Sequence, residues 1–263
     1  MSNRFEGKVA LVVGGANADE SQLLGFAGLA GLEIARQGGK LVVGDIDDEA
    51  GNRSVNKMKD AGLTADYVHM DVTSDSDWVN AVEITVSNHG RLDILIMAAG
   101  IPDSGETIET TDVDKWRRVM DVTNLGMFLG TRAVVDPMRK SGGGSIVLIS
   151  SMMAKVVRDG ANAYATSRAG MTHFARSAAV QYGSDNIRVN TVLPGWTFTP
   201  FTANAFDEEW AERLAKRVPL GRIADASDIA GPILFLASDE AKYVTGSELL
   251  ADGGVTGWIG PMD

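Results

Sequence analysis

Along the chain, short apolar runs rich in β-branched residues alternate with longer stretches in which apolar positions recur every three or four residues. The short runs cover 9–13, 41–45, 67–70, 92–97, 145–149, 188–192 and 248–251. Segments of that length predict strands, and those apolar at consecutive positions are expected to be buried on both faces. The spacing in 78–86, 116–135 and 169–182 predicts helices. Strands separated by helical crossovers give a doubly wound α/β fold, a parallel sheet of about seven strands with helices on both faces. Glycine and proline gather only at candidate turns, such as Pro194-Gly195 and Asp252-Gly253-Gly254. With no linker, repeat or low-complexity tract in view, residues 1–263 read as one domain.

Charge narrows the partners. The 263 residues carry 24 Lys+Arg against 35 Asp+Glu, a net charge of -11. A polyanion such as nucleic acid, or an anionic membrane surface, is repelled by that balance. The lowest-polarity run, 23–32, is about half of the ~20 residues that cross a bilayer. No signal-peptide pattern precedes the first strand. The chain is therefore expected to be soluble and cytoplasmic. Cysteine is absent, which excludes disulfides, thiolate metal sites and a cysteine nucleophile. His69, His89 and His173 are scattered, and the acids of 45–49 and 71–77 read as helix-start charges, so no metal site is expected.

Open α/β sheets bind ligands at the carboxyl ends of their strands. After the first strand comes Gly14-Gly15-Ala16, and only later Gly25-Phe26-Ala27-Gly28 at the start of a helix. These glycines suit either close approach to a pyrophosphate or a plain surface loop, and the intervening Asp19 and Glu20 put carboxylates nearby. Asp45, followed by Ile46, ends the second strand; it suits the hydroxyls of an adenosine ribose, or a helix cap. Asp71-Val72 follows the third strand, with adenine contact and capping both open. Ala98-Ala99-Gly100 leaves space after the fourth.

These features belong to a longer ordered set: Ile149-Ser150-Ser151, Tyr164-Ala165-Thr166-Ser167-Arg168, Ile187-Arg188-Val189-Asn190, Pro194-Gly195-Trp196-Thr197-Phe198-Thr199-Pro200 and Pro219-Leu220-Gly221-Arg222. Over nearly the whole chain the set resembles the short-chain dehydrogenase/reductase family. The resemblance implies a Rossmann-like fold and an NAD(H)-dependent enzyme interconverting a secondary alcohol and a ketone. In that family a tyrosine exchanges the proton, a serine thirteen residues earlier holds the substrate oxygen, and a cation four residues later supports the tyrosine; Tyr164, Ser151 and Arg168 match. It places the dinucleotide on Gly14, Gly25, Asp45, Ile46, Asp71, Val72, Ala99, Gly100, Pro194, Gly195 and Thr199. Asp45 favours NAD(H) over NADP(H), because a carboxylate repels a 2′-phosphate. Residues 196–218 match the segment that covers substrate, and Met153, Trp196 and Phe198, with Met152, Phe201, Phe206 and Trp210, suit either a bulky apolar small molecule or, equally, a place in the core. The resemblance also implies a homo-oligomer, a dimer or tetramer.

Four positions depart from the family pattern. Gly14 and Gly25 are too far apart, Ala27 stands at the third glycine, and Met97 replaces an asparagine. Arg168 replaces lysine, keeping charge but unable to release a proton. The family's helix asparagine falls on Thr123 in ungapped register, with Asn124 adjacent. Ser151, Tyr164 and Arg168 also reproduce the triad of halohydrin dehalogenases, which share the fold, use no nicotinamide and carry an aromatic-x-glycine loop like Phe26-Ala27-Gly28. A cofactor-independent lyase is thus the alternative reading, and a non-catalytic nucleotide-binding protein a third.

Overall fold

The computed structural model describes residues 3–102, 105–203 and 208–258, and its strands form a single parallel sheet. They are β1 (Val9–Val13), β2 (Lys40–Asp45), β3 (Ala65–His69), β4 (Ile94–Met97), β5 (Gly144–Ile149), β6 (Ile187–Pro194) and β7 (Glu248–Ala251), in the order β3-β2-β1-β4-β5-β6-β7. All seven expected runs are strands, with ends displaced by at most two residues.

Alternate strand residues enter two separate cores. Ala10, Val12, Leu41, Val43, Ile94 and Ile96 pack with α1 (Phe26–Arg36), α2 (Asp48–Asp60) and α8 (Ala226–Ala237). Leu11, Val13, Val42, Leu95 and Met97 pack on the opposite face with α3 (Asp75–His89), α5 (Gly126–Lys140) and α6 (Asn162–Tyr182). A side-chain period of two, with both phases apolar, is what commits a strand to the middle layer. Each such side chain contributes roughly 1.5–3 kcal/mol by leaving water.

The expected helix over 116–135 is interrupted. α4 (Val113–Met120) and α5 are joined by a π-helical turn, Asp121–Leu125. A π turn adds one residue to the helical repeat, so apolar spacing alone reads straight through it. The turn buries Thr123 and lets Asn124 Nδ2 donate to the Ser167 carbonyl on α6 at 3.1 Å. A last helix, α7 (Glu208–Ala215), lies between β6 and α8 in sequence.

The strand order reverses direction between β1 and β4, and such a switch point opens a crevice at the carboxyl ends of the strands. Asp45 ends β2, and Gly14, Ala98–Gly100, Ser151 and Gly195 follow strand ends on that edge.

Candidate active site

The loop after β1 is built around close backbone contacts. Gly14 has φ +75°, and a Cβ there would fall 2.5 Å from the Ala99 nitrogen, so only glycine fits. Its N–H donates to the Gly44 carbonyl at 2.9 Å. Ser54 of α2 grips the next turn: its hydroxyl donates to the Ala16 carbonyl and accepts the Ala18 N–H. The inserted stretch then folds back, with Gly25 N–H on the Asn17 carbonyl at 2.8 Å. A Cβ on Gly28 would lie 2.5 Å from that same oxygen, so Gly28 provides the close approach that Ala27 does not. Phe26 packs against the α1-side core.

Gly25 is the N-cap of α1. No side chain caps it, and the first turn holds no acid. Its uncapped N–H groups and helix dipole suit an anion such as a pyrophosphate. The two carboxylates of the insertion are neutralised elsewhere. Asp19 is buried against Lys57 Nζ at 2.6 Å and Arg53 Nε at 3.4 Å, both on α2. The Lys57 hydrogen bond, aided by Ser21, outweighs desolvation and holds its carboxyl down to about 2. Glu20 pairs with Arg36 at 2.7 Å, which lowers its pKa.

At the end of β2, Asp45 Oδ2 accepts the Ala16 N–H at 3.0 Å, and Oδ1 accepts those of Ile46 and Asp47. Capping of α2 falls to Asp47 instead, whose side chain accepts the Ala50 N–H. Ile46 is exposed beside Asp45. Tyr67 donates to the Asp45 carbonyl and to Asp48; burial and the neighbouring Asp48 push its phenol well above the usual range. Asp71 accepts from the Thr73 N–H and hydroxyl and lies 3.7 Å from Arg118. Burial opposes its ionisation, but these bonds win and lower its pKa. Val72 is buried against Gly126, and its carbonyl accepts the Trp78 indole N–H.

The third part of the site joins β5, β4 and α6. Ser151 follows β5 and caps a 3₁₀ turn over Met152–Ala154, its hydroxyl accepting the Met153 N–H at 3.1 Å. Tyr164 and Arg168 sit one turn apart on α6, with the guanidinium carbon 4.7 Å from the phenol ring centroid. Arg168 is buried; its Nη1 donates to the Ile149 carbonyl at 2.9 Å, two residues before Ser151. The Ser150 hydroxyl in turn donates to the Arg168 carbonyl at 2.9 Å. On the outer side the Phe201 ring lies 6.4 Å from that of Tyr164.

Around these, Gly195 donates its N–H to the Ala251 carbonyl and approaches Asp252 so closely that a Cβ would meet its Cα at 2.7 Å. Thr199 and Pro194 are buried, Trp196 is half-buried, and Phe198, Phe201 and Trp210 are exposed. Phe206 lies outside the described residues. Arg168 Nη2 also lies against Gly100, where a Cβ would fall 2.1 Å from it. Spacing gave no sign of Ser54, or of this Gly100 contact, since both depend on segments distant in sequence. Among the described residues no group of three His, Asp or Glu converges on a metal site, and no helix is long and apolar enough to cross a membrane.

The model for the family described as enoyl-(acyl carrier protein) reductase matches residues 25–256. A 2,5-dichloro-2,5-cyclohexadiene-1,4-diol dehydrogenase of Sphingobium indicum is 36% identical over 254 residues, covering 97% of this chain and 98% of its own. The chain belongs to the short-chain dehydrogenase/reductase family. A second member, the cyclopentanol dehydrogenase of Comamonas testosteroni, is 37% identical over 254 residues, 96% of this chain and 98% of its own. Among solved structures, a 7α-hydroxysteroid dehydrogenase complexed with NADH and 7-oxo glycochenodeoxycholic acid superposes with a TM-score of 0.88 at 29% identity, covering 96% of each chain. This dehydrogenase/reductase is thus an oxidoreductase of a family that works with nicotinamide cofactors.

Proposed function

We propose that this enzyme interconverts a ring-borne secondary alcohol and its ketone, using NAD(H) in preference to NADP(H). The observation that carries the reading is the stacking of the Arg168 guanidinium on the Tyr164 ring, anchored at the Ile149 carbonyl beside Ser151. The dinucleotide fits the rest of the crevice. Gly14 and Gly195 let the crevice loops pack directly on the Ala98–Ala99 and Asp252 backbone, the α1 N-terminus offers uncapped N–H groups, and Asp45 presents a carboxylate where the adenosine ribose belongs. Ile46, Asp71 and Val72 would flank the adenine, and Gly25, Ala99, Gly100, Pro194 and Thr199 the phosphates and nicotinamide end. The cofactor supplies the hydride acceptor.

The protein's part is proton transfer and orientation. Ser151 holds the substrate oxygen by a hydrogen bond. The Tyr164 phenolate oxygen takes the hydroxyl proton as the carbinol C–H bond breaks, and the reverse step returns it. Arg168 stabilises the phenolate by charge alone, because a guanidinium does not release its proton. Met153, Trp196 and Phe198 lie on the segments flanking this pocket, with 196–218 as its cover. Two of the relatives are named for ring alcohols, and the neighbouring structure for a steroid. The family resemblance further supports a homo-oligomer.

Titration with NADH and NADPH, followed by turnover on a panel of cyclic alcohols, tests the proposal. Micromolar NADH binding, weaker NADPH binding and ketone formation support it. No binding of either nucleotide up to millimolar concentration, with epoxide formed from a vicinal halohydrin, would establish the lyase reading instead.

A further inference from the structure

We infer that Gly100 is a positioning residue: its missing side chain is the space that allows position 168 to carry an arginine. A Cβ built on Gly100 would lie 2.1 Å from Arg168 Nη2, and the next two nearest atoms, at 3.3 and 3.6 Å, are Cζ and Nη1 of the same guanidinium. Gly100 does not have a positive φ, so its backbone accepts alanine. The obstacle to a side chain is Arg168. Gly14 differs, because there a Cβ meets the backbone of Ala98 and Ala99.

Arg168 has little freedom to yield. Its side chain is buried at 3% relative exposure, Nη1 is tied to the Ile149 carbonyl, and its own carbonyl accepts the Ser150 hydroxyl. Among the described residues no carboxylate lies within ion-pair distance of it, and its Nε has no hydrogen-bond partner. Among the described residues, the buried charge is therefore held against the Tyr164 ring by shape and by one carbonyl rather than by a counter-ion. A methyl group at position 100 pushes Nη2 away, strains the Ile149 bond and moves the charge off the phenol. A lysine has a single terminal nitrogen and no second η arm, so it does not require the glycine. Space after β4 thus serves the arginine and not the nucleotide alone.

Only the catalytic half of this inference rests on the proposed oxidoreductase function. The test is a double-mutant cycle of wild type, Gly100→Ala, Arg168→Lys and the pair, read by melting temperature and by steady-state turnover of a cyclic alcohol with NAD. Arg168→Met serves as a second background for melting. In the wild-type background, alanine is expected to lower the melting temperature by about 3 °C or more, as overpacking does. It should also lower kcat by about tenfold, with the acid limb of the pH–rate profile displaced. In the lysine and methionine backgrounds, alanine should change melting little, and in the lysine background its effect on kcat should be smaller than in the wild type. Equal losses in all backgrounds overturn the inference and leave Gly100 as a nucleotide or backbone residue. Coupled melting in a protein that oxidises no cyclic alcohol upholds the Gly100–Arg168 fit and overturns the oxidoreductase reading instead.

Discussion

The Ala16 N–H donates to Asp45 Oδ2 at 3.0 Å, joining the loop after β1 to the end of β2. Two more N–H groups, of Ile46 and Asp47, reach the other oxygen. The carboxylate is thereby fixed in orientation, while Oδ2, which accepts one N–H, keeps lone-pair capacity for a ribose hydroxyl. Asp45→Ser is expected to weaken NADH binding by about tenfold and NADPH binding much less, since it also removes repulsion of the 2′-phosphate. Calorimetric titration with both nucleotides checks this; equal losses would remove Asp45 from cofactor choice.

Tyr164→Phe removes one oxygen and keeps the ring that stacks on Arg168. Turnover should fall by about 10³-fold, the scale of lost acid–base catalysis, with the Kd for NADH within about threefold of wild type. Stopped-flow single turnovers and fluorescence titration separate the two effects. Near-normal turnover would place proton transfer elsewhere.

Asp19 is expected to make the loop after β1 acid-sensitive. Its carboxyl titrates at about 2 in the folded chain against an ordinary value of 3.8. The contribution is complete above about pH 4 and is lost as pH falls toward 2. Lys57 is half exposed, so screening limits the contribution to about 1–2 kcal/mol. Asp19→Asn should lower stability by that amount at pH 7 and narrow the gap to wild type as the pH falls through this window. Denaturant unfolding at pH 7, 4 and 3 measures it. A gap independent of pH would assign Asp19 no linkage role.

Trp196 is half-buried on the segment following β6, where Ala224 N–H bonds its carbonyl at 3.0 Å. That bond keeps the backbone in place when the side chain is cut back. Trp196→Ala should raise KM for a bicyclic or steroidal alcohol by about tenfold and for cyclopentanol by less than about threefold. Equal changes for both would exclude the indole from the substrate wall.

Much of this is legible in the sequence, because period-two and period-3.6 patterns reflect local geometry and burial. The strand runs place Gly14, Asp45, Ala99, Ser151 and Gly195 on one edge, since a parallel sheet aligns all its carboxyl ends. Other features were not legible in a local pattern. The π turn at Asp121–Leu125 shifts the helical phase, so Thr123 and Asn124 cannot be assigned from register alone. Asp19 and Glu20 read as obstacles to phosphate until α1 and α2 bring Arg36, Arg53 and Lys57 to them.

The sequence by itself determined the α/β order, the strand edge that carries chemistry and the chemical identity of Ser151, Tyr164 and Arg168, because burial period and residue type are local properties. Only the tertiary structure decided how the inserted loop closes on Ser54 and Gly28, and where the Arg168 charge comes to rest between Ile149, Gly100 and the Tyr164 ring. Those contacts join segments tens of residues apart, and their distances follow from packing around the whole sheet, which no window of sequence contains.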